Sequence, residues 1–374
     1  MLVLAVNSGS TSAKLAAFAV AGCGADAALS RVRSEHLSGA AIDPRAAIAT
    51  FLERLGEPVR AAAHRVVHGG TALVGPARID PRIEAALRAL GELAPLHNPV
   101  SLAWIDAARS VCGPGVAQVA VFDTAFFADL PRVAREYALP RSHGAALGVR
   151  RYGFHGLAHR SMWRRWVERH PEHPGGGRLI TLQLGGGCSV AAIEAGRPLD
   201  TSMGFSPLEG LVMATRSGDI DPAAVVYLAQ HTGASADRII EMLNEESGLL
   251  GVSGLSGDMR RLADDPSEEA RFAIELYCYR ARKYVGAYLA VLGGCDGIVF
   301  GGGVAEHMPQ IRERILAPLG WAGIAVDPQA NRAACGEEAS ISPAGATVAV
   351  EVLPVDEERE LAAAAAALCE SQDP

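Results

Sequence analysis

The sequence predicts two related α/β domains, and three observations support this. The chain has 374 residues, which is long for a single hydrophobic core. A strand–glycine turn–strand pattern near the start recurs near mid-chain, as expected for a duplicated domain. Between these turns lie segments with helical hydrophobic periodicity, several of which begin with proline. Strands mixed with helices, and a hairpin opening each half, indicate two α/β domains with a cleft between them.

The repeated pattern consists of two short apolar runs around a turn of small residues. Residues 2–6 and 14–20 flank the first turn, and residues 179–184 and 190–193 flank the second. A shift of 177 residues places Gly186 on Gly9 and Ser189 on Ser12. A third glycine turn, residues 301–303, follows the apolar run 297–300 and precedes a predicted helix over 306–316.

The remaining elements follow from periodicity and composition. Buried strands are predicted at 116–122 and 346–353, and an Ala-rich terminal helix at 357–369 follows Asp356 as its N-cap. A linker and an insertion are expected near 128–150 and 170–177. The other predicted helices are residues 44–55, 81–93, 99–111, 221–231, 236–246 and 266–292.

Composition describes an ordinary soluble globular protein, with 49% hydrophobic and 20% charged residues. The net charge of −8 argues against nucleic acid as a partner. No apolar run reaches membrane-spanning length, and the run after Met1 is too short and uncharged for a signal peptide. Seven scattered cysteines without CxxC spacing indicate reduced thiols in a cytoplasmic protein: Cys23, Cys112, Cys188, Cys278, Cys295, Cys335 and Cys369.

The segment 200–222 is too rich in Gly, Ser, Thr and Asp for a regular helix or strand. It carries Arg216, whose fork suits phosphoryl or carboxylate oxygens, and small residues that allow close approach of a ligand. A solvated loop is the alternative, but apolar residues such as Met203, Phe205 and Leu211 are threaded through it. We therefore expect a buried functional loop.

The three glycine turns suit phosphate, because such turns present several backbone N–H groups in one concavity. None of them is a GxxxxGK[ST] loop. One turn alone would equally be a structural hairpin, whereas three, two of them in duplicated positions, indicate a nucleotide held between domains.

Other polar residues stand at strand ends or helix starts. Arg65 and Asp123 each lie near a strand end, although Arg65 could be merely solvated and Asp123 merely an N-cap. His155 and His159 have i, i+4 spacing, but the absence of an HExxH pattern or a nearby acidic ligand argues against zinc and for a hydrogen bond to a phosphoryl group. Glu357 at a helix start could hold Mg²⁺ or compensate the helix dipole.

Taken together, these sequence segments resemble those of the acetokinase family, the acetate and propionate kinases. The resemblance is colinear over essentially the whole chain, and the 151–159 and 200–222 motifs are close to diagnostic. The other matching segments are residues 7–14, 64–70, 93–99, 122–126, 247–254, 258–260 and 299–306.

The resemblance implies two duplicated ribonuclease H-like domains of the actin, Hsp70 and sugar kinase superfamily. Residues 1–127 with the terminal helix 359–374 would form the N-terminal domain, and 128–358 the C-terminal nucleotide-binding domain. The implied enzyme is a cytoplasmic homodimeric phosphotransferase. It would transfer the ATP γ-phosphoryl group reversibly to acetate, giving acetyl phosphate and ADP, with Mg²⁺, for which Mn²⁺ can substitute. A propionate or other short-chain carboxylate kinase and a pyrophosphate-dependent acetate kinase are the alternatives.

The resemblance also assigns roles by position. Asn7 and Glu357 match the magnesium site, Arg65 the carboxylate-binding arginine, and Asp123 the catalytic acid, which we expect to orient substrate or magnesium waters. His155 and Arg216 match the transition-state stabilisers. The apolar acyl pocket corresponds to Val67, Leu96, Phe154 and Pro207. The nucleotide contacts correspond to Lys14, Gln183, Leu184, Gly185, Gly186, Gly187, Asp258, Met259, Arg260, Gly303, Val304, Ala305, Glu306 and His307.

Departures from the family pattern fall mainly on the nucleotide side. The family's His-Leu-Gly-Asn-Gly loop is Gln-Leu-Gly-Gly-Gly at 183–187, and Gly-Ile-Gly-Glu-Asn is Gly-Val-Ala-Glu-His at 303–307. Phe127 replaces a histidine. Two other functions are disfavoured: a polyol kinase, because Arg65 with an apolar pocket suits a small carboxylate, and a sugar-sensing repressor, because no DNA-binding region precedes the first strand.

Overall fold

A computed structural model describes residues 1–9, 12–22, 28–39, 42–94, 97–144 and 146–370, the last without its side chain. The chain divides into two compact units. The first comprises Met1–Ala128, His155–Ser161 and Asp356–Pro374, and the second Asp129–Phe154 and Met162–Val355. The domain bounds expected from the sequence, 1–127 with 359–374 and 128–358, stay a prediction. They differ from this division chiefly at His155–Ser161.

The first unit is built on a six-stranded mixed sheet. Its strands are β1 (Leu2–Ser8), β2 (Ser12–Ala21), β3 (Ala28–Ser38), β4 (Ala61–Val66), β5 (Ala77–Arg78) and β6 (Ala117–Phe122). They are ordered β3-β2-β1-β4-β6-β5. Strands β1, β4 and β6 run parallel to one another, and the remaining neighbours are antiparallel.

Helices cover both faces of this sheet, and its central strands are accordingly made mostly of apolar residues. Side chains alternate across β1, so that Val3 and Ala5 pack against the terminal helix α14 (Glu357–Glu370). Leu4 and Val6 point to the other face, which is covered by α1 (Pro44–Leu55) and α3 (Asn98–Cys112). Helix α2 (Pro81–Ala89) packs beside α3 over the far end of the sheet.

The second unit repeats this arrangement. Its strands are β7 (Arg178–Leu184), β8 (Cys188–Glu194), β9 (Arg197–Thr201), β10 (Gly297–Gly301), β11 (Ala339–Ser340) and β12 (Ala349–Val352). The order β9-β8-β7-β10-β12-β11 reproduces the first sheet strand for strand. The strand directions agree as well, with β7, β10 and β12 parallel. The duplication predicted from the glycine turns is confirmed.

The longest helix, α10 (Glu268–Leu292), packs on β7, β8 and β9. Ser267 caps its N-terminus by accepting from Ala270 N at 3.2 Å, and Gly293 ends it in a left-handed conformation. None of the helices in the described ranges has the length and apolarity to cross a membrane. The other helices of this unit are α4 (Arg132–Arg135), α6 (Pro222–Thr232), α7 (Ala236–Glu245), α8 (Gly248–Ser253), α9 (Met259–Asp264), α11 (Gly303–His307), α12 (Pro309–Leu316) and α13 (Pro328–Ala333). Helix α5 (Gly156–Arg169) contributes to both units.

Several sequence-based bounds need correction. The single helix predicted over 306–316 is two helices that break at Met308, because Pro309 has no N–H and disfavours a helical conformation in the residue before it. The helix predicted over 81–93 gives way to a 3₁₀ turn, Leu90–Glu92, and the strand over 346–353 is only four residues long. The cap at Asp356 is confirmed, since its Oδ1 accepts from Arg359 N at 3.0 Å.

Candidate active site

An arginine–aspartate ion pair lies at the carboxyl edge of the first sheet. Because β4 and β6 are parallel and Val66 pairs with Phe122, Arg65 and Asp123 fall at neighbouring strand ends. Arg65 Nε lies 3.1 Å from both carboxylate oxygens of Asp123, and Nη2 lies 2.6 Å from Oδ2. The Asp123 side chain is fully buried and that of Arg65 is 16% exposed. The two residues singled out separately in the sequence are thus direct partners.

Burial and charge act in opposite senses on this pair. Burial lowers the pKa of Arg65, but the attraction of Asp123 and Glu357 outweighs it and the pKa rises. Burial raises the pKa of Asp123, against the opposing effects of Arg65 and of a hydrogen bond from the backbone of His155. The guanidinium stays charged at any neutral pH. Asp123 therefore serves to hold a fixed cation in place.

Asn7, near the end of β1, links this pair to the start of α14. Its Nδ2 donates to Glu357 Oε2 and to Glu358 Oε1, both at 2.7 Å, and its Oδ1 lies 3.5 Å from Arg65 Nη1. Lys14 stands opposite Asn7 in the β1–β2 hairpin and is exposed. One cluster in the first unit therefore gathers four predicted site residues, Asn7, Arg65, Asp123 and Glu357.

Glu358 is a member of this cluster that sequence reasoning missed. It is 5% exposed, accepts from Asn7 and lies 3.8 Å from Arg31 Nη1. In the sequence it is one of several acidic residues in the first turn of a helix, where glutamate commonly compensates the dipole. Which of them turns toward β1 depends on how α14 packs, and no local pattern contains that information.

His155 occupies a strained turn beside Asp123. Its φ of 57° is uncommon for a residue with a side chain. Its backbone N–H bonds the Asp123 carboxylate, and Gly156 N donates to Asp123 O at 3.0 Å. A Cβ at Gly156 would overlap that oxygen, so only glycine allows this approach. The turn therefore fixes His155 against Asp123 at the start of α5.

His159, four residues on, has a different environment. It is fully buried and packs edge-to-face on Phe127 at a centroid distance of 5.7 Å. Burial, together with the charge of His155, holds the pKa of His159 well below its usual value. Phe127, which replaces a histidine of the family pattern, is therefore a core residue here, with 1% exposure.

The four residues expected to line the acyl pocket are distributed over both units. Val67, directly after β4, is buried in the first unit, whereas buried Phe154 and partly exposed Pro207 belong to the second. Leu96 lies outside the described residues. The convergence of these side chains on one pocket stays a prediction.

Arg216 lies in a tightly folded loop of the second unit. Its Nη1 donates to Pro207 O at 3.2 Å, and its carbonyl accepts from Met213 N at 3.1 Å. The apolar residues Met203 and Leu211 are buried, and Gly210, with φ of 110°, approaches Ser202 so closely that a Cβ would lie 2.6 Å from its carbonyl oxygen. The burial predicted for this segment is confirmed for residues 200–218, which are buried or partly buried, whereas 219–222 are exposed; its function stays a prediction.

Two glycine turns of the second unit lie at the same sheet edge. Parallel β7 and β10 end together, with Gln183 opposite Gly301, and a Cβ at Gly302 would lie 2.7 Å from Leu184 O. The turn 185–187 therefore adjoins the start of α11, which comprises Gly303–His307. Gln183 Oε1 is buried and has no hydrogen-bond partner within the described chain.

The segment 258–260, which is also predicted to contact the nucleotide, lies near the 185–187 turn, and Ala214 connects the two. Ala214 N donates to Gly186 O at 3.0 Å, and a Cβ at Gly257 would lie 2.9 Å from Ala214 O. Asp258 caps α9 and pairs with the exposed Arg260 at 2.8 Å, while Met259 is buried. The three segments expected to contact nucleotide in this unit are thus neighbours.

Two residues hold α11 in place. Glu306 Oε1 accepts from Gly302 N at 2.8 Å and from Val355 N at 3.1 Å, while His307 is exposed. Arg312, which sequence reasoning missed, is fully buried and donates to Ala305 O at 2.5 Å and to both oxygens of Asn331. Burial lowers the pKa of Arg312 to about 10. It lies among the apolar positions of α12, where the sequence gives no sign of a buried cation.

Comparison with known proteins decides the family. Residues 2–363 match the profile of the acetokinase family. The chain belongs to the acetokinase family. Acetate kinases of Clavibacter sepedonicus and Chloroherpeton thalassium are 47% and 46% identical to it. The alignments cover 88% and 82% of this chain and 83% and 75% of those proteins.

Solved structures of the acetokinase family superpose over nearly the whole chain. The acetate kinase of Porphyromonas gingivalis has a TM-score of 0.84 at 37% identity. A propionate kinase of Francisella tularensis has a TM-score of 0.86 at 32% identity. Both comparisons cover 97% of this chain and 98% of the other. The fold of two duplicated domains of the actin, Hsp70 and sugar kinase superfamily, which the resemblance implied, is confirmed.

Proposed function

We propose that this protein is an acetate kinase that transfers the γ-phosphoryl group of ATP reversibly to acetate, giving acetyl phosphate and ADP. The observation that carries the proposal is the family match over residues 2–363, which spans both the Arg65–Asp123 pair and the loop around Arg216. The 47% identity to an acetate kinase supports the choice of acceptor.

The acceptor would bind at Arg65. Asp123 engages Nε and Nη2 of its guanidinium, so Nη1 is the nitrogen turned toward Asn7 and toward a substrate carboxylate. Acetate is already ionised at neutral pH and needs no general base, only orientation. The buried Val67, two residues further along the chain, would contact the methyl group together with Leu96, Phe154 and Pro207.

The cluster around Asn7 suits Mg²⁺, which prefers oxygen ligands and binds through one or two carboxylates while keeping several waters. Asp123 is paired with Arg65, and Glu358 lies near Arg31. Glu357, by contrast, accepts a hydrogen bond from Asn7 and forms no ion pair within the described residues, so its negative charge is available to a divalent cation. Asn7 orients the Glu357 carboxylate through its Nδ2. We infer that Glu357 and Asn7 hold Mg²⁺ or Mn²⁺, which when bound supplies charge neutralisation for the phosphate groups.

The remaining residues would bind and neutralise the transferring group. A loose phosphoryl transition state needs positioning and charge compensation more than covalent chemistry, and His155 with Arg216 supplies both. Backbone N–H groups of the 185–187 turn and of α11 would hold the nucleotide phosphates. The segment 258–260 adjoins that turn. Lys14, which belongs to the first unit, would also contact the nucleotide.

A hydroxamate-trapping assay tests the proposal directly. Purified enzyme is offered acetate, propionate or butyrate with ATP or pyrophosphate. We expect the fastest acyl phosphate formation from acetate and ATP, abolished by EDTA and restored by Mg²⁺ or Mn²⁺. Absence of product with every acceptor would refute a carboxylate kinase.

A propionate kinase is the second candidate, favoured by the TM-score of 0.86 to the Francisella enzyme. Faster turnover of propionate than of acetate in the same assay would establish it. Faster turnover with pyrophosphate than with ATP would overturn the nucleotide assignment alone.

We also propose a homodimer. Helix α6 is apolar over most of its length but buries no residue, and Val226 and Tyr227 are 56% and 60% exposed. Exposed apolar helix faces of this kind are typical of subunit interfaces. A cytoplasmic location is supported by the free thiols of Cys112, Cys188, Cys278, Cys295, Cys335 and Cys369.

A further inference from the structure

A hydrogen-bond network holds the segment that precedes Arg216 in a fixed conformation. One oxygen of the Glu209 carboxylate accepts from the Tyr137 hydroxyl, and the other accepts from Arg151 Nη2 at 2.6 Å. The Tyr137 oxygen in turn accepts from Phe205 N at 2.9 Å. Arg151 Nη1 donates to Thr201 O at 2.9 Å. One carboxylate thus ties the end of β9 to the middle of the 200–222 segment.

Arg151 and Tyr137 both have raised pKa values. Burial lowers the pKa of Arg151, but the attraction of Glu209 outweighs it and the pKa is raised. Burial, followed by the hydrogen bond to Glu209, raises the pKa of Tyr137, so its hydroxyl keeps the proton that it donates. A Cβ at Gly204 would overlap both Glu209 and Tyr137, so the backbone passes directly against this pair.

The far end of the same segment is held separately. Gly210 N donates to Asp219 Oδ1 at 2.8 Å, and Asp219 N donates back to Gly210 O at 3.0 Å. Tyr284 donates its hydroxyl proton to Asp219 Oδ2 at 2.9 Å. The peptide from Gly204 to Gly210 is therefore fixed at both ends, and Pro207, whose carbonyl accepts from Arg216, lies at its middle.

We propose that Arg151, Glu209 and Tyr137 are positioning residues that aim the Arg216 guanidinium for phosphoryl transfer. They do so by fixing the position of the Pro207 carbonyl, which accepts a hydrogen bond from that guanidinium. The proposal rests on the role of Arg216 in the proposed function. Charge compensation in a transition state depends on donors that are aimed in advance, and small misplacements of such groups cost rate without weakening ground-state binding.

The kinetic test uses Tyr137→Phe, which removes one hydroxyl and keeps the ring. We expect kcat to fall about tenfold while the KM values for ATP and acetate stay within about twofold. Glu209→Gln, which removes the charge that holds Arg151, should behave alike. Tyr279→Phe is the matched control, because Tyr279 lies on α10 and is 53% exposed. Rates of Tyr137→Phe and Glu209→Gln equal to wild type would overturn the proposal.

A double-mutant cycle separates aiming from general damage. If Tyr137 acts through Arg216, Tyr137→Phe should cost less than about twofold in an Arg216→Lys background, where the fork is already lost. An undiminished tenfold cost in that background would show an effect that does not pass through Arg216, and would overturn the proposal.

Hydrogen exchange followed by mass spectrometry tests the network without reference to activity. Amides of 203–216 should exchange faster in Tyr137→Phe than in wild type, and at the wild-type rate in Tyr279→Phe. Unchanged exchange overturns the proposal even if the enzyme is an acetate kinase. If wild-type enzyme makes no acyl phosphate, the proposed function and the catalytic part of this inference fail together, while the exchange rates still show whether the network orders the segment.

Discussion

At the scale of single residues, charge compensation by Arg216 is the most direct test of the proposed mechanism. Arg216→Ala should lower kcat/KM by about a hundredfold or more, as loss of a preorganised cation does. Circular dichroism should show an unchanged fold, because the side chain is only partly buried. Arg238→Ala, which removes a 47% exposed arginine on α7, is the control and should leave kcat/KM unchanged. Turnover at the wild-type rate in Arg216→Ala would remove the proposed mechanism.

His64, next to Arg65 in the chain, makes stability depend on pH. It is 1% exposed, its Nε2 lies 2.8 Å from Gln118 Oε1, and burial lowers its pKa to about 4. The unfolded state takes up a proton on this histidine at higher pH than the folded state does. The neutral, buried His64 therefore contributes fully to the free energy of unfolding above about pH 6.5, and this contribution is lost as the pH falls toward 4. From pH 7 to 5 the loss should be about 2 kcal/mol.

Urea unfolding of wild type and His64→Gln at pH 7 and pH 5 measures this contribution. The variant should lose less stability between the two pH values, by about 2 kcal/mol. His159 titrates in the same direction in both proteins and cancels in the comparison. His36→Gln, at an exposed position of β3, should keep the wild-type dependence. Equal pH dependence in wild type and His64→Gln would contradict a neutral buried His64.

At the scale of elements, the sequence was informative where burial leaves a pattern. Apolar runs of β1 and β7 and capped helices such as α10 were predicted within a few residues. Strand β3 was missed because it is an edge strand, largely exposed, with charged residues along it. Glu358 and Arg312 were missed because their importance depends on which way α14 and α12 face in the folded chain, and local residue types do not contain that information.

The β7–β8 turn gives the element-scale prediction. Gly186 is exposed, and a Cβ there would meet no atom within 4 Å, so the turn can accept the asparagine of the family pattern. Gly186→Asn should lower the KM for ATP with little change in kcat, because an added phosphate contact would serve bound and transition states alike. Gly115→Asn, at an equally open position before β6, is the control. A KM for ATP equal to that of wild type would contradict a nucleotide contact at Gly186.

At the scale of the whole molecule, the exposed apolar face of α6 should decide the oligomeric state. Placing a charge at Val226 or Tyr227 would bury an unpaired carboxylate in the proposed interface, which is costly. Sedimentation velocity should therefore show a dimer for wild type and a monomer for Val226→Glu or Tyr227→Glu. Val133→Glu, at a valine that is 94% exposed on α4, should remain dimeric. A wild-type monomer would contradict the proposal.

The packing of α14 on the first sheet has a consequence for synthesis on the ribosome. Val3, Ala5 and Phe18 are made early, yet the helix residues that cover them, among them Leu361 and Ala365, follow the whole second unit in the chain. The apolar face of the first sheet therefore stays uncovered while the second unit is synthesised. A nascent chain stalled before Glu357 should depend on chaperones that shield such surfaces, and release of the last segment should end that dependence.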